Sequence, residues 1–318
     1  MDEFVTETFA RAVAAHTGLD PALLTLSRCS TGKFNTTYFV DGGPHPLVLR
    51  IAPPDDRSRY LFYEYRMMKQ EPAIHEAVLN RTDTPVPRIL ALDESGTHLD
   101  RDFLLMERLP GTPASEYSGL TRNTFNSVLS RIGECLRQVH AITGERYGYA
   151  GPHSPMKPQQ DWPSAFRVMW NKLIDDTVRC GGYTDEEGDR MRTLLDTHIA
   201  RFERDIPASL LHMDIWAQNI LIGDDAALTG LVDWDRGLWG DPEIEFAVLD
   251  YYGISGPAFW EGYGAPRDTS TDARIRGTFY LLYELQKYIL IRRVRGSDPA
   301  SADGYRRRSL EIASQLAT

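Results

Sequence analysis

The chain has 318 residues, 42% of them hydrophobic and 25% charged, enough for a full core in one large or two modest domains. Its net charge of -10 argues against a nucleic-acid partner and permits a cationic substrate. Cys29, Cys135 and Cys180 are odd in number and lack metal-ligand spacing, so free thiols are expected, not a disulfide framework. The N-terminus, MDEFVTETFARAVAAH, is acidic and amphipathic, unlike a signal peptide. No run reaches the ~18 apolar residues of a membrane span, so a cytoplasmic protein with no membrane partner is expected.

Phe4, Val5, Phe9, Ala12 and Val13 share one stripe of a helix over residues 3–16, ended by Gly18. Leu23 to Arg28 reads as a strand. Ser30-Thr31-Gly32-Lys33-Phe34-Asn35-Thr36-Thr37 follows, then the strand-like Tyr38-Phe39-Val40. A strand-turn-strand of this composition suits a triphosphate, with backbone N–H groups, small hydroxyls and Lys33 directed at the phosphates. It holds one glycine and is neither a Walker loop nor a GxGxxG. Asp41 to Pro44 is a turn, and Pro46 to Ile51 a strand whose apolar run carries one charge, Arg50. Residues 57–80 have a helical pattern, with Glu64 and Glu71 on nearly the same face. Pro72 either disfavours a helical Glu71 or starts a second helical piece.

Pro87 to Leu92 and Phe103 to Met106 read as two further strands. The second runs into Glu107-Arg108-Leu109-Pro110-Gly111, a candidate boundary. Beyond it the pattern is mainly helical. Phe125, Val128, Leu129, Ile132, Leu136 and Val139 share a face over residues 121–142, with His140 at the end as a hydrogen-bonded core residue. Tyr147 to Trp162 is a loop, helices are expected near 163–179 and 185–204, and an amphipathic helix over Asp272 to Arg295 precedes a shorter one.

The most informative stretch is LLHMDIWAQNILIGDDAALTGLVDWDRGLWGDPEIEFA, residues 210–247. His212-Met213-Asp214 is followed by Asn219. Two short apolar runs, 220–222 and 228–232, flank a Gly-Asp-Asp turn, and the second ends on Asp233. This hairpin-like unit would bring Asp214, Asn219 and Asp233 together. The set suits phosphoryl transfer from Mg·ATP: a carboxylate, Asp214, to orient and deprotonate a hydroxyl, and Asn219 and Asp233 as hard oxygen ligands for Mg²⁺. His212 is expected to orient the loop and Asp241 to fix the Gly-Asp-Pro turn by hydrogen bonds to backbone N–H groups.

HMDIWAQN, LVDWDRG and GDPEIEFA resemble the catalytic loop, metal-binding Asp-Trp motif and following turn of the aminoglycoside phosphotransferase and choline kinase-like family. The resemblance implies an α+β, bilobal protein-kinase-like fold. An N-terminal antiparallel sheet lobe (1–107) would bind nucleotide, 108–111 would be the hinge, and 112–318 a larger, mainly helical lobe. Trp216 stands where protein kinases usually carry a Lys, the metal motif is Asp-Trp-Asp, and no Ala-Pro-Glu segment follows, which favours a small-molecule kinase.

The same resemblance assigns Ser30, Thr31, Gly32, Lys33 and Asn35 to the phosphate loop and Arg50 to the α/β-phosphates, a role its bidentate guanidinium suits. Glu71 is expected to brace Arg50, with Glu64 the alternative. The Glu107 carbonyl and Leu109 N–H would pair with the base. Asp235, Trp216 and Glu245 are candidate substrate contacts; Glu243, Asp250, Glu261 and Asp268, with Trp239, Tyr251 and Trp260, extend a possible pocket for a cationic, hydroxylated small molecule. ATP or GTP and Mg²⁺ are the implied cofactors, and a monomer or weak dimer the implied state. An antibiotic O-phosphotransferase of the aminoglycoside type is the leading expectation. A metabolic kinase of the choline, homoserine or methylthioribose type comes next, then a nucleotide-binding scaffold without catalysis.

Overall fold

The computed structural model describes residues 3–30, 32 and 34–316. Helix α1 (Glu3–Thr17) ends at Gly18, whose φ of 71° suits a residue without a side chain. Five antiparallel strands follow: β1 (Thr25–Arg28), β2 (Thr36–Asp41), β3 (Leu47–Ile51), β4 (Ile89–Asp93) and β5 (Phe103–Glu107), in the order β1-β2-β3-β5-β4. Leu23 belongs to a 3-10 turn, Pro21–Leu23, not to the first strand, because Pro21 starts that turn and Asp20 caps it.

Alternation along β3 decides where its one charge goes. Leu47, Leu49 and Ile51 pack with Ala12 and Val13 of α1. Arg50 therefore faces the other side of the sheet, in register with Thr37 on β2 and Leu104 on β5.

The helix expected over residues 57–80 is broken. Two 3-10 turns, Arg57–Arg59 and Met67–Gln70, flank an irregular stretch in which Arg66 is left-handed (φ 56°), and α2 spans only Glu71–Arg81. Acidic side chains take the backbone donors that a helix would use: Leu61 N–H donates to Glu64 (2.7 Å) and Phe62 N–H to Asp176 (2.5 Å). Pro72 sits in the first turn of α2, where its missing N–H is harmless.

The second lobe begins with the short β6 (Thr112–Pro113) and α3 (Arg122–His140), whose capping box joins Thr121 and Thr124. β7 (Thr143–Gly144), α4 (Trp162–Arg179) and α5 (Asp185–His198) follow; a 3-10 turn, Ile199–Phe202, completes the helical run predicted to 204. Four short strands, β8 (Ala208–Leu211), β9 (Ile220–Ile222), β10 (Leu228–Leu231) and β11 (Leu238–Gly240), carry the polar motif. They form two small sheets, β10-β9-β6 and β11-β8-β7. Helices α6 (Pro242–Tyr251), α7 (Pro257–Tyr263), α8 (Thr271–Leu290) and α9 (Pro299–Leu316) complete the lobe.

The α3–α7 contact is close because both helices carry glycine there. A Cβ on Gly262 would lie 1.8 Å from the Ser130 carbonyl oxygen, and one on Gly133 2.2 Å from that of Phe259. The tail helix is shorter than its pattern suggests. It ends at Leu290, and Ile291–Arg295 is a π-helical turn closed by Gly296 N–H to Ile291 O at 2.8 Å. Trp162, Phe166, Trp170, Phe202 and Tyr280 centre the core beneath α8. Among the described residues, no helix is long and apolar enough to cross a membrane.

Candidate active site

Strand β8 delivers His212-Met213-Asp214 at its end. His212 is fully buried, and burial pushes its imidazole below the ordinary value, against the pull of Glu245 and Asp214. The ring is therefore neutral: Nε2–H donates to the Val232 carbonyl (3.1 Å) and Nδ1 accepts from the Asp214 N–H (3.2 Å). His212 thus ties β8 to the end of β10 and has no free nitrogen to act as a base. Met213 (φ 66°) and Asp233 (φ 71°) both hold left-handed backbone, which costs about 1–3 kcal/mol each and persists only under firm support. That support includes the Met213 N–H, which donates to Glu245 at 2.6 Å.

The Asp214 side chain remains 19% exposed. Asn219 Nδ2 donates to the Asp214 carbonyl (2.8 Å) and to its Oδ2 (3.2 Å), while Arg236 Nη1 donates to Oδ1 (3.0 Å). Burial works against ionisation, but Arg236, then Lys287, outweigh it and hold the carboxyl below its ordinary value. Asp214 is thus an ionised, oriented acceptor for a proton.

A second cluster surrounds Arg50. Its Nη1 donates to Glu71 Oε2 at 2.6 Å, and its Nη2 bonds Asp233 and, at 3.1 Å, Asp235 Oδ2. Glu71, at the start of α2, is fully buried. The alternative Glu64 is engaged elsewhere, by Arg295 at 3.0 Å. Three carboxylates thus share one guanidinium. Burial foremost raises both Asp233 and Asp235, and the mutual repulsion of the two adds to it at Asp235.

The remaining sequence-derived candidates divide. Thr31 and Lys33 lie outside the described residues. Ser30 and Gly32 are exposed, as a phosphate loop requires, but Asn35 is buried and donates to Asp235 Oδ2 at 3.0 Å. Glu107 ends β5, and Leu109 follows, half-buried beside Gly230. Trp216 stacks near Tyr252, with centroids 6.0 Å apart.

The acids expected around a cationic substrate are placed differently. Asp235 and Glu245 are only 4% and 1% exposed. Glu245 is enclosed by His140 (2.7 Å) and the Met213 N–H, so it supports the loop from behind and offers no open oxygen to a substrate. Asp235 is likewise enclosed, with Arg50 and Asn35 both donating to its Oδ2. Glu243, Asp250 and Asp268 line a separate groove of about 800 Å³ in which Arg204, Arg267 and Arg276 pair with them. Asp241 caps α6 through the Glu243 N–H (3.0 Å) and accepts from Tyr280 (2.8 Å).

Several residues at the site escaped the sequence reading. Arg236 directly follows the metal motif, and α8 contributes Glu284 and Lys287. Lys287 Nζ lies 2.5 Å from Glu284 and 4.0 Å from Asp214, and Arg236 Nη2 lies 3.5 Å from Glu284. A signal existed: YLLYELQKYIL breaks an otherwise apolar helix face with Glu284 and Lys287, three residues apart.

Comparison with known proteins agrees with this geometry. A profile of the phosphotransferase enzyme family matches residues 25–277, most of the chain. Acyl-CoA dehydrogenase family member 10 of Mus musculus is 25% identical over 231 residues, which is 70% of this chain but 20% of that much longer protein. The Escherichia coli K12 protein named Probable ketoamine kinase YniA is 25% identical over 221 residues, 65% of this chain and 69% of its own. A thermostable aminoglycoside phosphotransferase APH(4)-Ia, crystallised with ADP and hygromycin B, superposes with a TM-score of 0.62 at 18% identity, covering 96% of this chain and 98% of that one. The protein belongs to the phosphotransferase enzyme family and is a small-molecule kinase of protein-kinase-like fold.

Proposed function

We propose that the protein transfers the γ-phosphoryl group of ATP, or GTP, to a hydroxyl of a small metabolite, with Asp214 as the base. The observation that carries this reading is the Asp214 carboxylate: ionised, partly open, and fixed from two sides by Asn219 and Arg236. It would take the proton of the acceptor hydroxyl as that oxygen attacks, while the phosphoryl group leaves in line. Arg50, braced by Glu71, would hold the α/β-phosphates beneath the 30–37 loop.

The residues present fit a divalent cation. Glu71, Asp233 and Asp235 offer three carboxyl groups against the single guanidinium of Arg50, and Asn219, with Nδ2 donating to Asp214, has Oδ1 left to face a metal. Asn219 and Asp233 would hold Mg²⁺, which supplies neutralisation of phosphate charge. The ADP bound to the similar phosphotransferase supports nucleotide as donor.

A metabolite is favoured over an aminoglycoside because Asp235 and Glu245 are enclosed, and Glu243, Asp250 and Asp268 are matched by arginines. A scaffold without catalysis is disfavoured by the complete Asp214, Asn219 and Asp233 set. The test is an ADP-release assay with Mg·ATP and Mg·GTP across choline, homoserine, methylthioribose, a fructosamine and kanamycin. Asp214→Asn should keep nucleotide binding and lower turnover roughly 10²–10⁴-fold. Wild-type turnover in that variant would remove Asp214 from the role of base.

A further inference from the structure

The ground beside Asp214 is cationic as well as acidic. Arg236 and Lys287 are both buried there, with side chains 7% and 5% exposed, against Asp214 and the enclosed Glu284. One arginine already suffices to orient Asp214. Lys287, at 4.0 Å, is beyond hydrogen-bond reach of it and uses one short contact, to Glu284, of its three donors. Arg236 Nε makes no hydrogen bond among the described residues, although it is shut away from solvent. Arg236 also faces the Tyr149 hydroxyl, so the donors left over next to the atom that must meet the reacting hydroxyl are chiefly those of Lys287.

A third cation lies at the edge of this region. Arg295, in the π-helical turn that follows α8, pairs with Glu64 and stands 5.2 Å over the ring of Phe34, within the 30–37 loop. Aromatic rings bound the same ground. Arg236 lies 5.6 Å over Tyr63, and the Tyr252 hydroxyl bonds Tyr288 and reaches Glu284. Lys287 and Arg295 both lie beyond residue 277, where the family match ends, so this wall is contributed by the chain's own tail.

We propose, building on the kinase reading above, that the acceptor is an anionic hydroxylated small molecule whose carboxylate or phosphate, near the reacting hydroxyl, is received by Lys287 and Arg236. When Asp214 takes the hydroxyl proton it loses its charge, and Arg236 and Lys287 then exceed Glu284 by one. An anion on the acceptor balances that excess once the proton is on Asp214. A cation at the same place would meet two like charges. The hydroxyl oxygen forms the new bond to phosphorus, the bond from phosphorus to the ADP oxygen breaks, and the proton goes to Asp214.

The test is Mg·ATP turnover, read as ADP release, over matched acceptors. Glycerate and gluconate carry a carboxylate, glycerol 3-phosphate and glucose 6-phosphate a phosphate, glycerol and glucose no charge, and choline, glucosamine and kanamycin a cation. Anionic acceptors should show kcat/KM at least about tenfold above their neutral partners, the gain of a charged hydrogen bond. The better of the carboxylate and phosphate arms identifies the group. Lys287→Met should raise KM for the anionic acceptor about tenfold more than for its neutral counterpart, and Lys287→Arg should recover most of the loss. Arg295→Gln, at a more open position, should weaken the same preference in the same direction. Higher kcat/KM on cationic acceptors, or equal loss on anionic and neutral ones in Lys287→Met, would overturn the proposal while leaving the kinase reading intact. Failure to bind Mg·ATP in calorimetry would overturn both.

Discussion

Two buried arginines adjoin the same Asp-Trp-Asp motif, Arg50 through ion pairs and Arg236 as the next residue, and their surroundings differ. Arg50 meets Glu71, Asp233 and Asp235, a surplus of carboxyl groups over cations. Arg236 meets Asp214 and Glu284 beside a second cation, Lys287, and charges there balance. An uncompensated buried charge is costly, so a surplus points to a bound counter-charge, and a balanced set holds its carboxylate ionised until that carboxylate takes a proton. The first cluster suits Mg²⁺ and phosphates; the second keeps the Asp214 carboxylate ready.

The contrast can be broken at its acidic side. Asp233→Ala should abolish Mg-dependent nucleotide binding, at least about a hundredfold in Kd, whereas Glu243→Ala, paired with Arg204 and Arg276 in the distant groove, should not. Isothermal titration with Mg·ATP distinguishes them, and the reverse result would mean the metal acids are misassigned. A smaller effect separates the two candidate braces. Glu71→Ala removes a fully buried partner of Arg50 and should weaken Mg·ATP affinity about tenfold, while Glu64→Ala should leave nucleotide affinity unchanged. Comparable loss of nucleotide affinity in both would dissolve the distinction.

The smallest effect concerns an acid outside both clusters. Burial foremost pushes Asp176 up to about 6, despite Arg179 and the Phe62 N–H. Its folded value lies above its unfolded one, so the native state holds the proton more tightly. The resulting stability is full below about pH 4 and is lost as pH rises through about 6. Asp176→Asn should flatten the pH dependence of the unfolding free energy over that window by about 2 kcal/mol, read by urea titration. An unchanged slope would show that Asp176 ionises normally.

The catalytic segment was readable because its polar residues interrupt short apolar strands at spacings the hairpin requires. Arg50 was readable for the same reason, as one charge in a strand whose neighbours alternate into the core. Glu64 and Glu71 were not separable by pattern, since both fall on one helical face; the break at Arg66 gives them different directions. The stretch 57–70 has a helical spacing of apolar residues, yet Glu64 takes one of its backbone donors locally and Asp176 takes another from 114 residues away. Glu245 looked like a surface acid and is a buried brace. The Arg236–Glu284 pair joins residues 48 apart, a proximity that composition and periodicity do not encode.

The π-helical turn after α8 has one more consequence. Each residue of an α-helix advances the chain by about 100°, and a π-turn in effect inserts one surplus residue into that rotation. Arg295 owes its bearing toward Phe34 and Glu64 to this phase offset. Deleting a single residue between Ile291 and Arg295 would restore a continuous helix, swing Arg295 around the axis, and turn every contact of α9 out of step. The tail therefore behaves as a geared attachment, in which insertions or deletions of one residue are felt beside Phe34.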